Sequence, residues 1–546
     1  AEDRRLEMPI EVDVGDTKVA QGAMVRVCIT GLEEPRWEGG SPTILSELEH
    51  VYARAGGLSI EVERLLAEQG VEWISQEAEP GPVPVQDGDA QRVDLTELAF
   101  ATIDPADARD HDDALYARWH EQGVELYVAI ADVAGFVRPG SDLDRFALLR
   151  GCSTYLPDRV LPMLPEWLSA DAASLRSGVD RPVTFMRMII DYQGAVVGGE
   201  WGLGTINSRA DLNYDQVQEF IDGDESALPD DTELRESTSV LSEVARILMG
   251  ARSRRGQLEI SSDELRFELD DEGEPVGVVR RQQRFAERVV ESCMIAANEE
   301  VGRRLLELQT QVPWRVHEPP TATGLTNFLT LASGMGLRKP DGAATPAKLN
   351  KMMSKLGNNP LRPVLSQLLL RAMSKAVYGP EAKGHWGLSS EHYLHFTSPI
   401  RRYPDLLVHR AIRHHLGDRP APLAADGDLD KLCVDASDSE NRSVTVERAA
   451  HRLFACRLLE GREGESFAGV VDGIAAKGIY VRLNDPPVTV MVAREDLGRR
   501  NVEFDVAHQK LTWRGGGLTL GDAIKVRLDS VNLPARLAQA SCEGLR

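Results

Sequence analysis

The segment Thr102–Ala114, TIDPADARDHDDA, constrains this chain more than any other because it crowds carboxylates together directly after the apolar run Leu98–Ala101. Clustered carboxylates raise one another's pKa values, so a fold that keeps them together must compensate their charge. A hard divalent cation does so, since carboxylate oxygens suit Mg²⁺ or Mn²⁺. The alternative is a solvated acidic loop. The D-x-D-D spacing alone does not distinguish a metal-binding loop from a solvated one. The aspartates are Asp104, Asp107, Asp110, Asp112 and Asp113.

A second dense segment lies at residues 395–412, HFTSPIRRYPDLLVHRAI. Ser398 followed by Pro399 predicts a helix start, because Ser caps helices and Pro suits the first turn. Arg401 and Arg402 would then lie beside the positive end of the helix dipole, which predicts a phosphate site. The alternative is an exposed basic helix start that water satisfies.

The length of 546 residues predicts several domains, and the hydrophobic content of 42% is enough for sizeable cores. The formal net charge of −24 argues against an openly basic nucleic-acid surface. The basic residues are mostly Arg, which suits bidentate phosphate contacts, and several of the few Lys lie between Lys339 and Lys383. This pattern favours a basic internal channel in a protein whose outer surface is acidic.

Cysteine spacing and hydropathy predict a cytoplasmic protein. The six cysteines include no CxxC pair, which argues against structural zinc and a disulfide framework. No apolar run approaches bilayer length, and no charged-then-apolar leader opens the sequence. We therefore expect no membrane association. The first residue is Ala1 rather than Met, so a preceding segment is an open question.

The first part of the chain reads as two units. Short β-like runs in residues 1–40 predict part of a small β-barrel. Residues 41–91 predict a helical spacer and linker, with one helix over residues 44–52 and another over residues 60–66. The same helix pair has a helix-turn-helix as its alternative.

The remaining chain predicts an α+β catalytic region and a terminal barrel. Residues 92–425 form a mixed α/β domain with a buried strand at residues 124–133, and residues 426–460 are its helical end. Residues 461–546 alternate in hydropathy with Gly turns, as a five-stranded OB barrel does. Phe467, Lys477 and Tyr480 would lie on the face such barrels offer to single strands. The alternative is that they are ordinary surface residues.

Taken together, TIDPADARDHDDA and HFTSPIRRYPDLLVHR resemble the catalytic domain of the ribonuclease II / ribonuclease R family of 3′-to-5′ exoribonucleases. STYLPDRVLPMLP and RVHEPP also fit that family. The resemblance covers about residues 92–546, including a C-terminal RNA-binding OB domain of the ribosomal S-one type. Residues 1–40 resemble the end of a cold-shock-type OB domain. The implied fold is a multidomain α+β protein whose RNB-type catalytic domain is flanked by small OB barrels.

The resemblance implies roles for individual residues. Asp112 has the direct catalytic role, and Arg401 steadies the scissile phosphate beside Arg402 and Ser398. Tyr155 stacks near the RNA 3′ end, Trp314 supplies the opposing face, and Glu447 contacts the last nucleotide. Mg²⁺, or Mn²⁺ in its place, is held by Asp104, Asp110, Asp112 and Asp113.

The implied function is a Mg²⁺-dependent, processive 3′-to-5′ exoribonuclease. It would act as a monomer on single-stranded RNA with a free 3′ end and release nucleoside 5′-monophosphates. The alternative from another class is a catalytically inactive RNA-binding protein on the same fold. A DNA nuclease or transcription regulator would need a basic recognition face on the helix pair, which the sequence lacks. Whether duplex RNA is unwound or stalls the protein is left open.

Overall fold

A computed structural model describes residues 10–19, 24–33, 42–53, 58–71, 81–85, 91–258, 264–334, 336–357, 362–417, 428–505 and 510–544. Most of the predicted linker before residue 91 and the junction between residues 417 and 428 therefore lie outside the described residues. The predicted domain boundaries at 40, 91 and 425 remain predictions.

The first described unit is a three-stranded sheet followed by a helix. Strand β3 lies between the other two, pairing in parallel with β1 and antiparallel with β2. The predicted helix over residues 44–52 is wrong, because this segment forms β3. Its apolar positions fit either period, and pairing on both sides selects the strand. The second predicted helix is present as α1. The elements are β1 (Ile10–Asp13), β2 (Met24–Glu33), β3 (Thr43–Ala53) and α1 (Leu58–Glu68).

A seven-stranded mixed sheet forms the centre of the molecule, in the order β12-β5-β6-β7-β10-β11-β4. All nine residues of its middle strand β7 are buried, which confirms the buried strand predicted at residues 124–133. Strands β8 and β9 form a separate short hairpin. The strands are β4 (Arg92–Asp94), β5 (Ala101–Asp104), β6 (Asp113–His120), β7 (Gly123–Ala131), β8 (Thr154–Tyr155), β9 (Val160–Leu161), β10 (Asp180–Ile190), β11 (Val196–Asn207) and β12 (Ala210–Asn213).

Helices cover both faces of the central sheet, as the mixed α/β prediction requires. One face packs against α5 and α6, and the other packs against α2 and α3. A two-stranded antiparallel hairpin, β13 with β14, connects α5 to α6. The elements are α2 (Val133–Phe136), α3 (Asp142–Arg150), α4 (Tyr214–Ile221), α5 (Thr232–Arg255), β13 (Glu264–Leu269), β14 (Pro275–Arg281) and α6 (Phe285–Glu307).

Three helices with a separate small core follow, between two short paired strands. The next helix, α10, contributes apolar residues to the cores on both faces of the central sheet. The long helix α11 then passes beside α1 and the β13–β14 hairpin. The elements are β15 (Trp314–Val316), α7 (Ala322–Gly334), α8 (Pro346–Ser354), α9 (Arg362–Ala372), β16 (Val377–Gly379), α10 (Tyr403–His415) and α11 (Leu429–Leu459).

The C-terminal region contains a closed five-stranded barrel in the order β17-β18-β19-β24-β23, which confirms the OB prediction. A three-stranded sheet, β20-β21-β22, is inserted before its last two strands. Within the described ranges, no helix combines the length and apolar character needed to cross a bilayer. The strands are β17 (Ser466–Ala475), β18 (Gly478–Leu483), β19 (Thr489–Ala493), β20 (Glu503–Asp505), β21 (Lys510–Trp513), β22 (Gly516–Thr519), β23 (Ala523–Asn532) and β24 (Leu537–Glu543).

Candidate active site

The acidic segment is a loop between two antiparallel strands of the central sheet. Asp104 is the last residue of β5 and Asp113 the first of β6, and the strands pair at Ala101 and Leu115. Pro105 follows β5 at once and accepts a turn hydrogen bond from the Ala108 amide at 3.0 Å. The acidic segment is therefore a strand end that runs into a loop. This geometry turns both strand ends and the intervening loop toward one edge of the sheet.

All four aspartates predicted to bind metal line one cleft with a volume of about 1360 Å³. Asp112 is 4% exposed, whereas Asp107, left out of the predicted site, lies at the cleft with its side chain 68% exposed. The cleft also contains Tyr155 and Arg401. Folding therefore brings the two sequence motifs together in one cleft. The four aspartates are Asp104, Asp110, Asp112 and Asp113.

Residues 398–402 form a turn whose backbone and side chains contact Asp112. The Ile400 amide donates to Asp112 Oδ1 at 2.9 Å, and Arg401 Nε lies 3.6 Å from Asp112 Oδ2. Arg401 also donates to Ser398 Oγ at 3.0 Å, which directs its guanidinium into the cleft. Arg401 thus lines the cleft directly beside Asp112.

The predicted helix start at Ser398 is wrong by several residues. Helix α10 begins at Tyr403, so Pro404 rather than Pro399 occupies its first turn. The Ser398 amide donates to Asp405 Oδ1, and Arg402 donates to the same oxygen at 2.7 Å. Asp405 is fully buried and the Arg402 side chain is 19% exposed. The contacts of Arg402 hold this turn together, whereas Arg401 is the arginine available to a ligand.

Burial dominates the electrostatics of the acidic residues. It raises the pKa of Asp110, and it raises the pKa of Asp112 well above its ordinary value although Arg401 partly offsets the effect. Burial and the nearby charge of Asp104 raise the pKa of Asp113 to about 8. Carboxylates forced together in a desolvated cleft take up positive charge readily, either as protons or as a cation.

The chemistry of these side chains fits a hard divalent cation. Asp112 Oδ2 is buried and accepts no hydrogen bond, and Arg401 Nε lies 3.6 Å from it. Across the described ranges, no three or more His, Cys, Asp or Glu side chains already stand in a metal-binding arrangement. The donor set therefore matches Mg²⁺ or Mn²⁺ in kind, and side-chain adjustment would accompany binding.

Tyr155 and Glu447 meet although 292 positions separate them. The Tyr155 amide donates to Glu447 Oε1 at 2.9 Å, and the Tyr155 hydroxyl donates to Asp110 Oδ2 at 3.3 Å. Ser443 also donates to Glu447 Oε1, at 3.2 Å. The Tyr155 side chain remains 38% exposed in the cleft. A ring with one open face beside the carboxylates is what base stacking requires.

The prediction that Trp314 offers an opposing stacking face is wrong. Trp314 is 3% exposed and belongs to the core beneath the central sheet. Strand β15 alternates, so Trp314 and Val316 point inward while Arg315 lines the cleft. Arg315 donates to both carboxylate oxygens of Glu440, at 2.6 and 2.8 Å. The RVHEPP motif contained this cleft residue, but the short strand that selects it was not foreseen.

Exposed ion pairs tie the acidic loop to its surroundings. Arg266 on β13 donates to Asp107 at 2.7 Å, and Arg109 donates to Glu166 at 2.8 Å. Arg266 was not predicted from the sequence, because nothing local indicates that the β13–β14 hairpin reaches the loop. His385 and His395 also line the cleft and were not predicted.

On the terminal barrel, one of the three predicted contact residues is misplaced. Lys477 is exposed, and its Nζ lies 5.9 Å from the centre of the half-buried Tyr480 ring. Phe467 is 6% exposed and packs in the barrel core, so the prediction that it lies on the open face is wrong. Period-2 alternation along β17 directs Phe467 inward with Val471.

Comparison with known proteins gives a consistent result. The family model described as "RNB domain" matches residues 92–418. The chain is 33% identical over 465 residues to Ribonuclease R of Escherichia coli (strain K12), covering 83% of this chain and 57% of that protein. The chain thus spans little more than half the length of this relative.

Solved structures share the fold. Mycoplasma genitalium RNase R in complex with ribose methylated single-stranded RNA matches with a TM-score of 0.87 at 25% identity, covering 98% of this chain and 85% of that one. Yeast Ssd1, described as a pseudonuclease, matches in fold alone, with a TM-score of 0.69 at 18% identity and coverage of 90% and 62%. The overall fold is therefore similar both to a protein named as a ribonuclease and to one described as a pseudonuclease.

Proposed function

Because this chain belongs to the RNB domain family, we propose that it is an exoribonuclease that hydrolyses single-stranded RNA from its 3′ end and releases nucleoside 5′-monophosphates. The observation that carries the proposal is the meeting of Asp112 and Arg401 in a cleft that three further aspartates line. We further propose that it acts processively, as a monomer, in the cytoplasm. The likeness to Ribonuclease R supports the reaction class.

Asp104, Asp110, Asp112 and Asp113 would hold the divalent cation, Mg²⁺ or Mn²⁺. Such an ion supplies charge stabilisation for the phosphate and lowers the pKa of water so that it attacks at neutral pH. The buried Asp112 Oδ2, which accepts no hydrogen bond, supports this assignment. So do the raised pKa values of Asp112 and Asp113, because burial disfavours their negative charge and a bound cation would compensate it.

The chain's own residues orient and stabilise the substrate. Arg401 faces the position of the scissile phosphate and would stabilise the extra negative charge that develops in the transition state. Tyr155 would stack on a terminal base, converting binding into orientation. Glu447 accepts from the Tyr155 amide, so its second oxygen is our candidate for reading a ribose 2′-hydroxyl, a group that distinguishes RNA from DNA.

The second candidate function is RNA binding without catalysis. The fold-level likeness to a pseudonuclease favours it, because the fold alone does not determine activity. Against it, all four aspartates and Arg401 are present and face one cleft. A desolvated carboxylate cluster has little structural use, so its retention supports catalysis.

The deciding experiment incubates the protein with a 5′-labelled single-stranded oligoribonucleotide in Mg²⁺, in Mn²⁺ or in EDTA, beside an all-deoxy oligonucleotide. We expect metal-dependent shortening from the 3′ end of the RNA alone. Asp112→Asn should abolish it, whereas Asp107→Asn, a matched change at an exposed carboxylate of the same loop, should retain it. Tight RNA binding without shortening under either metal would refute the enzyme and favour the second candidate. Light scattering during gel filtration tests the monomer.

A further inference from the structure

His111 lies within the acidic loop, between Asp110 and Asp112, yet it does not share their cleft. The aspartates on either side line the cleft, whereas His111 is 8% exposed and is not part of the cleft wall. Its Nδ1 lies 2.7 Å from Asp104 Oδ2. Because an ionised carboxylate only accepts hydrogen bonds, this contact requires the hydrogen to be on Nδ1. His111 therefore donates a hydrogen bond to Asp104 from a buried position outside the cleft wall.

The backbone of His111 is fixed on both sides by the segment at residues 174–175. Its amide donates to Ser174 Oγ at 3.1 Å, and its carbonyl accepts from the Leu175 amide at 3.0 Å. Ser174 in turn donates to the Arg109 carbonyl at 2.9 Å. These bonds hold the backbone of His111 in place, and the contact with Asp104 together with burial orients its ring.

Asp104 needs such a support because it ends a strand and faces an open cleft. It is the last residue of β5, and its side chain is 20% exposed. A hydrogen bond to Oδ2 fixes the plane of the carboxylate and directs the other oxygen away from the ring. Partners that orient a ligand residue in this way tune metal sites strongly, and their loss typically costs about 10- to 100-fold in metal affinity or activity.

We propose that His111 is a positioning residue that holds Asp104 in the orientation needed to bind the divalent cation. The inference rests on the proposed function, since it presupposes that Asp104 is a ligand. Two other roles for His111 predict different effects of substitution on metal binding. A histidine that competed with the cation for Asp104 would weaken metal binding. A histidine that only packed would be replaceable by any ring of similar size.

Three substitutions separate these roles. The amide nitrogen of Asn occupies nearly the position of Nδ1, because each nitrogen is bonded to Cγ. The amide nitrogen of Gln lies one bond further out, and Phe keeps the ring but has no donor. His111→Asn should therefore preserve the bond to Asp104, whereas His111→Gln and His111→Phe should lose it.

The measurement is Mn²⁺ binding to the full chain without RNA, by electron paramagnetic resonance of the free ion. We expect the dissociation constant to rise about 10- to 100-fold for His111→Gln and His111→Phe, and to stay within about threefold of the original for His111→Asn. Thermal unfolding of each variant without metal identifies misfolding. If His111→Phe does not fold, the Asn and Gln pair gives the answer.

Unchanged or tighter Mn²⁺ binding by the Gln and Phe variants would overturn the inference, and so would equal weakening by all three variants. If the unsubstituted chain cleaves RNA with metal while the Gln variant binds Mn²⁺ normally, this inference alone fails. If the unsubstituted chain neither binds Mn²⁺ nor cleaves RNA, the proposed function fails and this inference fails with it.

Discussion

The main-chain amide of Ile400 donates a hydrogen bond of 2.9 Å to Asp112 Oδ1, joining residues that are 288 positions apart. The bond occupies one oxygen of the carboxylate, and the other oxygen lies 3.6 Å from Arg401 Nε. The turn before α10 therefore places Asp112 and Arg401 relative to each other.

Arg401 and Arg402 are adjacent in sequence, but replacing each by Ala should affect different properties, the cleavage rate for Arg401 and the stability of the fold for Arg402. The Arg401 side chain is 42% exposed in the cleft, so Arg401→Ala should lower the RNA cleavage rate by about 10²–10³-fold with little change in melting temperature. Arg402→Ala removes a cation from buried Asp405 and should destabilise the fold by about 3 kcal/mol. Single-turnover kinetics and thermal unfolding check both. A large loss of stability in the Arg401 variant would contradict this division.

Tyr480 and Phe467 on the barrel should likewise separate RNA binding from stability. Tyr480→Ala should weaken binding of single-stranded RNA by about 1–3 kcal/mol, because it removes a stacking surface beside Lys477. Phe467→Ala should destabilise the barrel by about 3–5 kcal/mol, because it empties part of a core. Fluorescence anisotropy measures the first effect and denaturant unfolding the second. Unchanged affinity in a folded Tyr480 variant would exclude this face as a binding surface.

Asp132 should be a major stability residue although it lies outside the candidate site. It is fully buried and forms ion pairs with Arg92 and Arg413. Burial raises its pKa, but the two arginines lower the pKa by more, so that it lies below its ordinary value. Asp132→Asn leaves buried positive charge with less compensation and should cost about 3–5 kcal/mol.

The matched control for Asp132 is Asp171→Asn. Asp171 pairs with Arg176 at 3.0 Å and more loosely with Arg181 at 3.4 Å, and its own side chain is 64% exposed. An exposed pair contributes about 0–1 kcal/mol, so this variant should unfold close to the original midpoint. Denaturant unfolding at pH 7 compares the two variants. An equal loss of unfolding free energy in both would show that burial of the carboxylate does not determine the loss.

His385 should make stability depend on pH. Burial lowers its pKa to about 3, and the nearby His317 and Arg315 add to the shift. A histidine whose folded pKa is lowered contributes full stability above its unfolded pKa of about 6.5, and that contribution is lost as pH falls toward the folded value. One such group removes about 1.4 kcal/mol between pH 7.5 and pH 5.5.

His385→Asn is the test, because the Asn oxygen can accept from the Leu388 amide as Nδ1 does but does not titrate. The difference in unfolding free energy between pH 7.5 and pH 5.5 should be about 1.4 kcal/mol smaller in the variant. Denaturant unfolding at both values measures it, above the isoelectric point of about 5.0. Identical pH dependence in both proteins would mean that His385 does not stay neutral when folded.

Much of the fold followed from local patterns. Strand β7, whose nine residues are all buried, overlaps the buried strand predicted at residues 124–133, and helix α1 contains the helix predicted over residues 60–66. Segments whose apolar residues fit two periods were not decidable in this way. Residues 44–52 satisfy both the helix and the strand period, and pairing with β1 and β2 selects the strand.

For the site, the sequence by itself determined the chemistry: a cluster of aspartates, an arginine pair and the resemblance that joins them. Tertiary structure decided which of these side chains meet. Ile400 reaches Asp112 because the turn before α10 packs at the central sheet, and Glu447 reaches Tyr155 because α11 packs against the β8–β9 hairpin. It also buried Trp314 and Phe467, since the direction of a side chain depends on the strand that carries it and on what packs behind that strand. Residue type determines the chemistry of a side chain, and long-range packing determines its position and its neighbours.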